Sequence, residues 1–225
     1  MKNKIYLSVI SALLLFAICF SACSKIEKEQ ENVIALSYCQ TSLYEGKNAD
    51  FVVELTEGTS EKLFVADGKT QETAPFVTLK VTPTSQDLKN VDLKFKLKGD
   101  KGEVSAPLSV DAFGAYFTAS PDMSVVGKPQ EASVLIGADE SKVELKDMLE
   151  GMVTSQQALS IAEETLKEKL ANDDKEREIY VRVIKNADEL EAPYYWYVAF
   201  ISSPTDYYSA VIDVKSGKVA STNPQ

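Results

Sequence analysis

Histidine is absent from this 225-residue chain. That single absence removes Ser-His-Asp triads, Cys-His dyads, histidine general bases and histidine metal ligands. Cysteine is nearly absent, with three in all at positions 19, 23 and 39. No glycine-rich phosphate loop occurs, and the acids lack the spacing of an EF-hand. Basic charge is in deficit, at 24 Lys and Arg against 34 Asp and Glu. The net charge of −10 repels nucleic acid and anionic membrane surfaces, so no nucleic-acid partner is expected. Carboxylates are numerous enough for a two-carboxylate hydrolase, yet no pair stands out. Asn172-Asp173-Asp174 reads as a solvated turn, because hard cations want six or more oxygens around them. The sequence therefore indicates no catalytic residue, no metal site and no cofactor.

Long apolar runs are also scarce, and the one present is at the start. Met1-Lys2-Asn3-Lys4 is a short basic head, Ile5 to Phe20 is apolar apart from Ser8 and Ser11, and Ser21-Ala22 is a small-residue end. This three-part layout is that of a secretory signal peptide. Its apolar part falls short of the ~20 residues of a spanning helix. Residues 1–22 are expected to be removed, which with Lys2 and Lys4 takes the charge to −12.

Phe20-Ser21-Ala22-Cys23 resembles the lipobox of bacterial lipoproteins. The resemblance implies that Cys23 receives a diacylglycerol, becomes the mature amino terminus and is acylated, palmitate being one such chain. Several acyl chains anchor stably where one does not, at about 0.8 kcal/mol per buried CH₂. The expected location is the cell envelope, lipid-anchored at the outer membrane, facing the periplasm or the surface. Residues 23–32 read as a flexible tether, since Ser24 to Asn32 offers only Ile26 for burial. Glu27, Glu29 and Glu31 resemble the acidic export tags of Bacteroidota surface lipoproteins. With Cys19 removed and Cys23 acylated, Cys39 is left without a disulfide partner and reads as a small buried hydrophobe.

The remainder divides into two modules. Residues 33–140 read as strands separated by turns. Ala49–Thr56 follows the turn Glu45–Asn48, Leu63–Ala66 stops at Asp67-Gly68, and Phe76–Val81 alternates. Val91–Lys98 alternates apolar and charged residues, as a strand with one wet face does. Weaker strands are expected near 104–110, 115–119 and 132–136. The pattern predicts an antiparallel β-sandwich. It resembles the immunoglobulin-like domains of bacterial surface proteins, and its opening also resembles Calx-β-type repeats. Residues 141–151 form the boundary, with either a short helix from Ser141 or a final strand through Val143 and Leu145.

Residues 152–225 predict an α+β module, one helix on an antiparallel sheet. Thr154 is a good N-cap with Gln157 at the capping-box position. Ala158, Leu159, Ala162, Leu166 and Leu170 form an apolar stripe that ends near Asn172, and Glu163 and Lys167 are placed to pair. Strands are expected over 178–184, 194–201 and 207–214, then a turn at Lys215-Ser216-Gly217 and a short return strand. Thr154–Ala158 with Ile161-Ala162 resembles the opening helix of PepSY domains. Ala210–Val219 resembles their closing hairpin, whose Asp213 reads as a turn acceptor. The resemblance covers the last third of the chain and implies a secreted or membrane-attached module that inhibits or chaperones a peptidase. With no protease segment after the module in this sequence, action on a separate peptidase rather than in cis is expected.

Alternation along the second strand places Tyr194, Trp196, Val198 and Phe200 toward the helix. The opposite face then concentrates Tyr180, Arg182, Tyr195, Tyr197 and Tyr207. These five are the candidate binding surface, unless the first module or a linker covers them. The sequence thus implies a non-enzymatic binding lipoprotein. Its expected ligand is another protein, a secreted peptidase in the leading version, with a glycan as the alternative.

Overall fold

The computed structural model describes residues 36–172, 174–186 and 194–223, with Lys89 and Asn90 described by backbone only. Cys23, the signal segment and the tether lie outside the described residues. In chain order the elements are β1 (Leu36–Lys47), β2 (Phe51–Glu61), β3 (Thr73–Pro83), β4 (Leu93–Gly99), β5 (Glu103–Pro107), β6 (Ser109–Val110) and β7 (Phe117–Ala119). β8 (Pro129–Ile136), β9 (Asp139–Glu144), β10 (Lys146–Asp147) and the helix α1 (Ser155–Ala171) follow. β11 (Glu178–Lys185), β12 (Tyr194–Ser203), β13 (Asp206–Asp213) and β14 (Val219–Asn223) come last. The chain is mostly β, with two sheets and one main helix.

A ten-stranded sheet runs in the order β14-β13-β12-β11-β1-β2-β3-β7-β6, with β10 also paired to β1. A four-stranded sheet runs β5-β4-β8-β9. One core lies between the two sheets. Phe51, Val53, Leu55, Leu79 and Val81 enter it from the large sheet, and Leu93, Phe95, Leu97, Val134 and Val143 from the small one. The period-2 pattern of Val91–Lys98 is what aims Leu93, Phe95 and Leu97 inward.

α1 packs over the second core. Thr154 and Gln157 form a reciprocal capping box, and Ala158, Leu159, Ala162 and Leu166 are buried. They meet Ile179, Val181, Trp196, Val198, Phe200, Ala210, Ile212 and Val214. The Trp196 ring is fully buried and its Nε1 donates to the Val153 carbonyl at 2.7 Å. Truncation of so large a core side chain typically costs about 3–5 kcal/mol.

The seam between the two regions is a parallel pairing that local alternation does not reveal. Leu36 faces Ile179, Tyr38 faces Tyr180 and Cys39 faces Val181. Cys39 is also registered with Thr59, which shares a face with Leu55. The register therefore puts both cores on the same face of the large sheet, side by side. Gln40 ends the seam: its side-chain Oε1 accepts from the Val183 N–H at 3.1 Å, in place of a backbone carbonyl.

Of the two readings for residues 141–151, the strand forms and the helix does not: Val143 lies within β9, and Val143 and Leu145 are buried. Two other local expectations are corrected. Lys167 pairs with Glu164 rather than Glu163, at 3.4 Å. Glu163 is drawn in far enough that burial raises its carboxyl pKa. Leu63–Ala66 is not a strand, because β2 ends at Glu61 and β3 begins at Thr73. The intervening residues form a loop at the end of that hairpin.

Candidate functional site

Strand register builds the aromatic face row by row. Tyr180 pairs with Ala199, which pairs with Ser209. Arg182 pairs with Tyr197, and Tyr197 with Val211. Tyr195 sits between Ile184 and Asp213, and Tyr207 pairs with Ile201. Residues directly opposite in a sheet share a face, so all five candidates lie on the face turned away from α1. Ala199 and Ser209 are buried at its centre, whereas Tyr180, Tyr195, Tyr197 and Tyr207 are half-buried and Arg182 is exposed. Tyr197 hydrogen-bonds with Ser209 and feels Tyr207, Arg182 and Tyr180. Tyr195 stands one row further along, toward Asp213.

The first region adds residues that sequence reasoning missed. Tyr38 lies between two rings: its centroid is 5.2 Å from Phe76 and 4.6 Å from Tyr180, with interplanar angles of 28° and 21°. Phe64, from the loop after β2, leans over Tyr180 at 5.4 Å and 53°. Phe76 and Tyr38 are two strands apart and meet because Gly58 lies between them. A β-carbon at Gly58 would stand 2.8 Å from the Phe76 ring and would collide with the Cys39 carbonyl. A glycine bridged by flanking rings is a recurrent device in sheets. The signal for Phe76 was its outward place in Phe76-Thr78-Lys80. Tyr38 had none without the β1–β11 pairing.

Two of the phenols, Tyr38 and Tyr197, have raised pKa values. Burial, then the neighbouring Tyr180, pushes Tyr38 up to about 12. Burial also raises Tyr197, partly offset by its hydrogen bond to Ser209. Arg182 is the exposed basic side chain beside these rings. Stacked rings turn their flat faces to one another, leaving edges and hydroxyls for a ligand.

One end of this face carries a rigid base. Glu178 Oε1 accepts from the Gly68 N–H at 3.4 Å, and Glu61 Oε1 accepts from the Gln71 N–H at 2.6 Å. Ser37 Oγ donates to Thr70 Oγ1 at 3.3 Å. Both carboxyl groups are buried; the second oxygen of Glu61 has no hydrogen-bond partner among the described residues, and the Ser37 hydroxyl neighbours the Glu178 carboxyl. Burial raises the Glu178 pKa, with Glu61 and Asp67 adding to the rise. Gly68 is needed where it is: its φ is +79°, and a β-carbon would stand 2.7 Å from the Glu176 carbonyl.

Among the described residues no group of three acids or cysteines is arranged to hold a metal ion. No helix among them is long and apolar enough to cross a membrane. Cys39 is a half-buried free thiol whose pKa is raised by burial. Asp213 accepts from the Ser216 N–H and hydroxyl, both at 2.7 Å, and Ser216 first lowers its pKa; it is a turn acceptor. Comparison with known protein families, with curated proteins and with solved structures finds no match for this chain.

Proposed function

We propose that this chain is a non-enzymatic, lipid-anchored binding protein of the bacterial cell envelope that captures another protein on its aromatic sheet face. In this reading Cys23 carries the anchor, an immunoglobulin-like β-sandwich makes up residues 33–140, and a PepSY-like α+β region makes up residues 152–225. The observation that carries the binding role is the stacked series Phe76, Tyr38 and Tyr180, continued by Tyr197, Tyr207 and the exposed Arg182. Tyr and Arg are the residues most enriched at protein interfaces. Tyr also supplies contact area with few rotors to freeze. A secreted peptidase is the partner that the PepSY resemblance favours.

A glycan is the second reading, supported by the number of rings. Sugar recognition works best with a ring face open to the hydroxyl-poor side of the sugar. Here Tyr38 has a ring against each of its two faces, which favours protein over glycan. The deciding experiment compares the wild-type chain with Tyr180→Ala plus Tyr197→Ala. The wild type should slow casein hydrolysis by the secreted peptidases of the source bacterium, and the double variant should lose at least tenfold in potency while staying folded. Binding on a glycan array without peptidase inhibition would install the second reading.

A further inference from the structure

The loop after β2 lends one edge of the Phe64 ring to Tyr180 and still leaves an apolar run in solvent. Leu63, Phe64 and Val65 are consecutive and exposed by 77, 41 and 50 %. Single exposed apolar residues are ordinary on a protein surface, whereas a contiguous run marks a contact. The run does not sit on a loose loop. Gly68, Thr70 and Gln71 are tied down by Glu178, Ser37 and Glu61, so the apolar tip projects from a fixed base.

Its position in the fold is at the β1-start end of the large sheet. Tyr38 is registered with Ser60, and Glu61 with Thr73. The tip therefore lies at the same end of the large sheet as Leu36, where β1 begins. Leu36 is thirteen residues from Cys23, a reach of at most about 43–47 Å. Phe113, the most exposed large apolar residue among the described residues at 94 %, lies at the other end, beyond the pairing of Phe117 with Val81. The two ends of β3 are separated by ten residue steps, about 33 Å.

We infer that Leu63-Phe64-Val65 is a membrane-seating tip that dips into the lipid interface beside the anchor, turning the β1-start end of the sheet toward the bilayer. This rests on the reading of Cys23 as lipidated. Exposed Lys62 and Lys69 flank the apolar run, and their long stems let the ammonium groups reach lipid phosphates while the three apolar side chains insert. Asp67 and Glu72 are the exposed carboxylates of the same loop, with Glu176 beside Gly68; the Asp67 carboxylate is turned back to accept from the Lys69 N–H at 3.0 Å, and all three lie on the C-terminal side of the apolar run. Three apolar residues bind a bilayer weakly alone. A tether converts that encounter into an intramolecular one, where weak contacts suffice.

The test uses the full acylated chain in vesicles of phosphatidylethanolamine and phosphatidylglycerol (3:1) with brominated acyl chains. Trp196 is fully buried and gives a constant background. Phe64→Trp should show blue-shifted emission and at least twofold quenching by bromine, and Phe113→Trp neither. Quenching at both positions, at neither, or at Phe113 alone overturns the seating. A blue shift at Phe64 that grows with protein concentration and ignores bromine also overturns it, and assigns the tip to a second copy of this chain. Mass spectrometry of the same preparation separates the two levels of failure. A chain without acyl mass overturns the anchor reading and this inference with it, whereas an acylated chain with an unquenched Phe64→Trp overturns the tip alone.

Discussion

Glu178 shows how one residue can hold a loop at a cost. Its carboxyl is fully buried; one oxygen accepts from the Gly68 N–H, and the Ser37 hydroxyl is its side-chain hydrogen-bonding neighbour among the described residues. Burial raises its pKa above the ordinary 4.5. A carboxyl whose folded pKa is raised binds more protons in the folded state than in the unfolded one. Stability therefore declines as pH climbs from about 4.5 through the folded pKa, and is recovered on acidification. Glu178→Gln keeps an acceptor for Gly68 and removes the buried charge. We expect the variant to melt higher than wild type at pH 7, by about 2–4 °C for each kcal/mol gained in a chain of this size. The difference should shrink toward pH 4.5. Thermal melts of both proteins from pH 4 to 8 check this, and parallel curves would show that Glu178 does not titrate in that range.

At the scale of the element, β2 is organised around an omission. Gly58 leaves a gap that Phe76 and Tyr38 close from either side. Gly58→Ala should cost about 1–3 kcal/mol, as overpacking does, and should weaken the near-ultraviolet circular dichroism of the stacked rings. Urea denaturation measures the first effect; an unchanged midpoint would show that β2 shifts freely. The same strand shows what a sequence reveals. Alternation in Val91–Lys98, the cap at Thr154 and the stripe from Ala158 to Leu166 are local patterns, and the structure follows them. Leu63–Ala66 has the composition of a strand, but β2 and β3 end before it, and Glu61 and Glu178 fix the loop beyond. Five members of the aromatic face lie on β11 to β13 and share a face by simple alternation. Tyr38, Phe64 and Phe76 join them only through a pairing between distant strands, which periodicity within one segment cannot encode.

At the scale of the molecule, two cores share one sheet. Residues 152–225 retain α1, Trp196 and four paired strands, a core of their own. Cut free, they lose Leu36, Cys39 and Leu149 from that core and uncover the β11 edge. We expect the fragment to unfold cooperatively, to melt below the full chain, and to self-associate through the bared edge. Calorimetry with analytical ultracentrifugation checks this; a monomeric fragment as stable as the full chain would show that the seam contributes nothing. The seam also sets an order of events. Leu36 and Ile179 are 143 positions apart. At a synthesis rate of roughly 5–20 residues per second, β1 exists for about 7–30 s before β11 can reach it. During that wait β2 can pair with one side of β1, while the other side stays available to any passing strand. Parallel pairing over such a distance is slow to nucleate. Refolding should therefore show a late phase in which the Tyr38–Tyr180 stack forms last, and the newborn chain is at its most vulnerable along β1 until that moment.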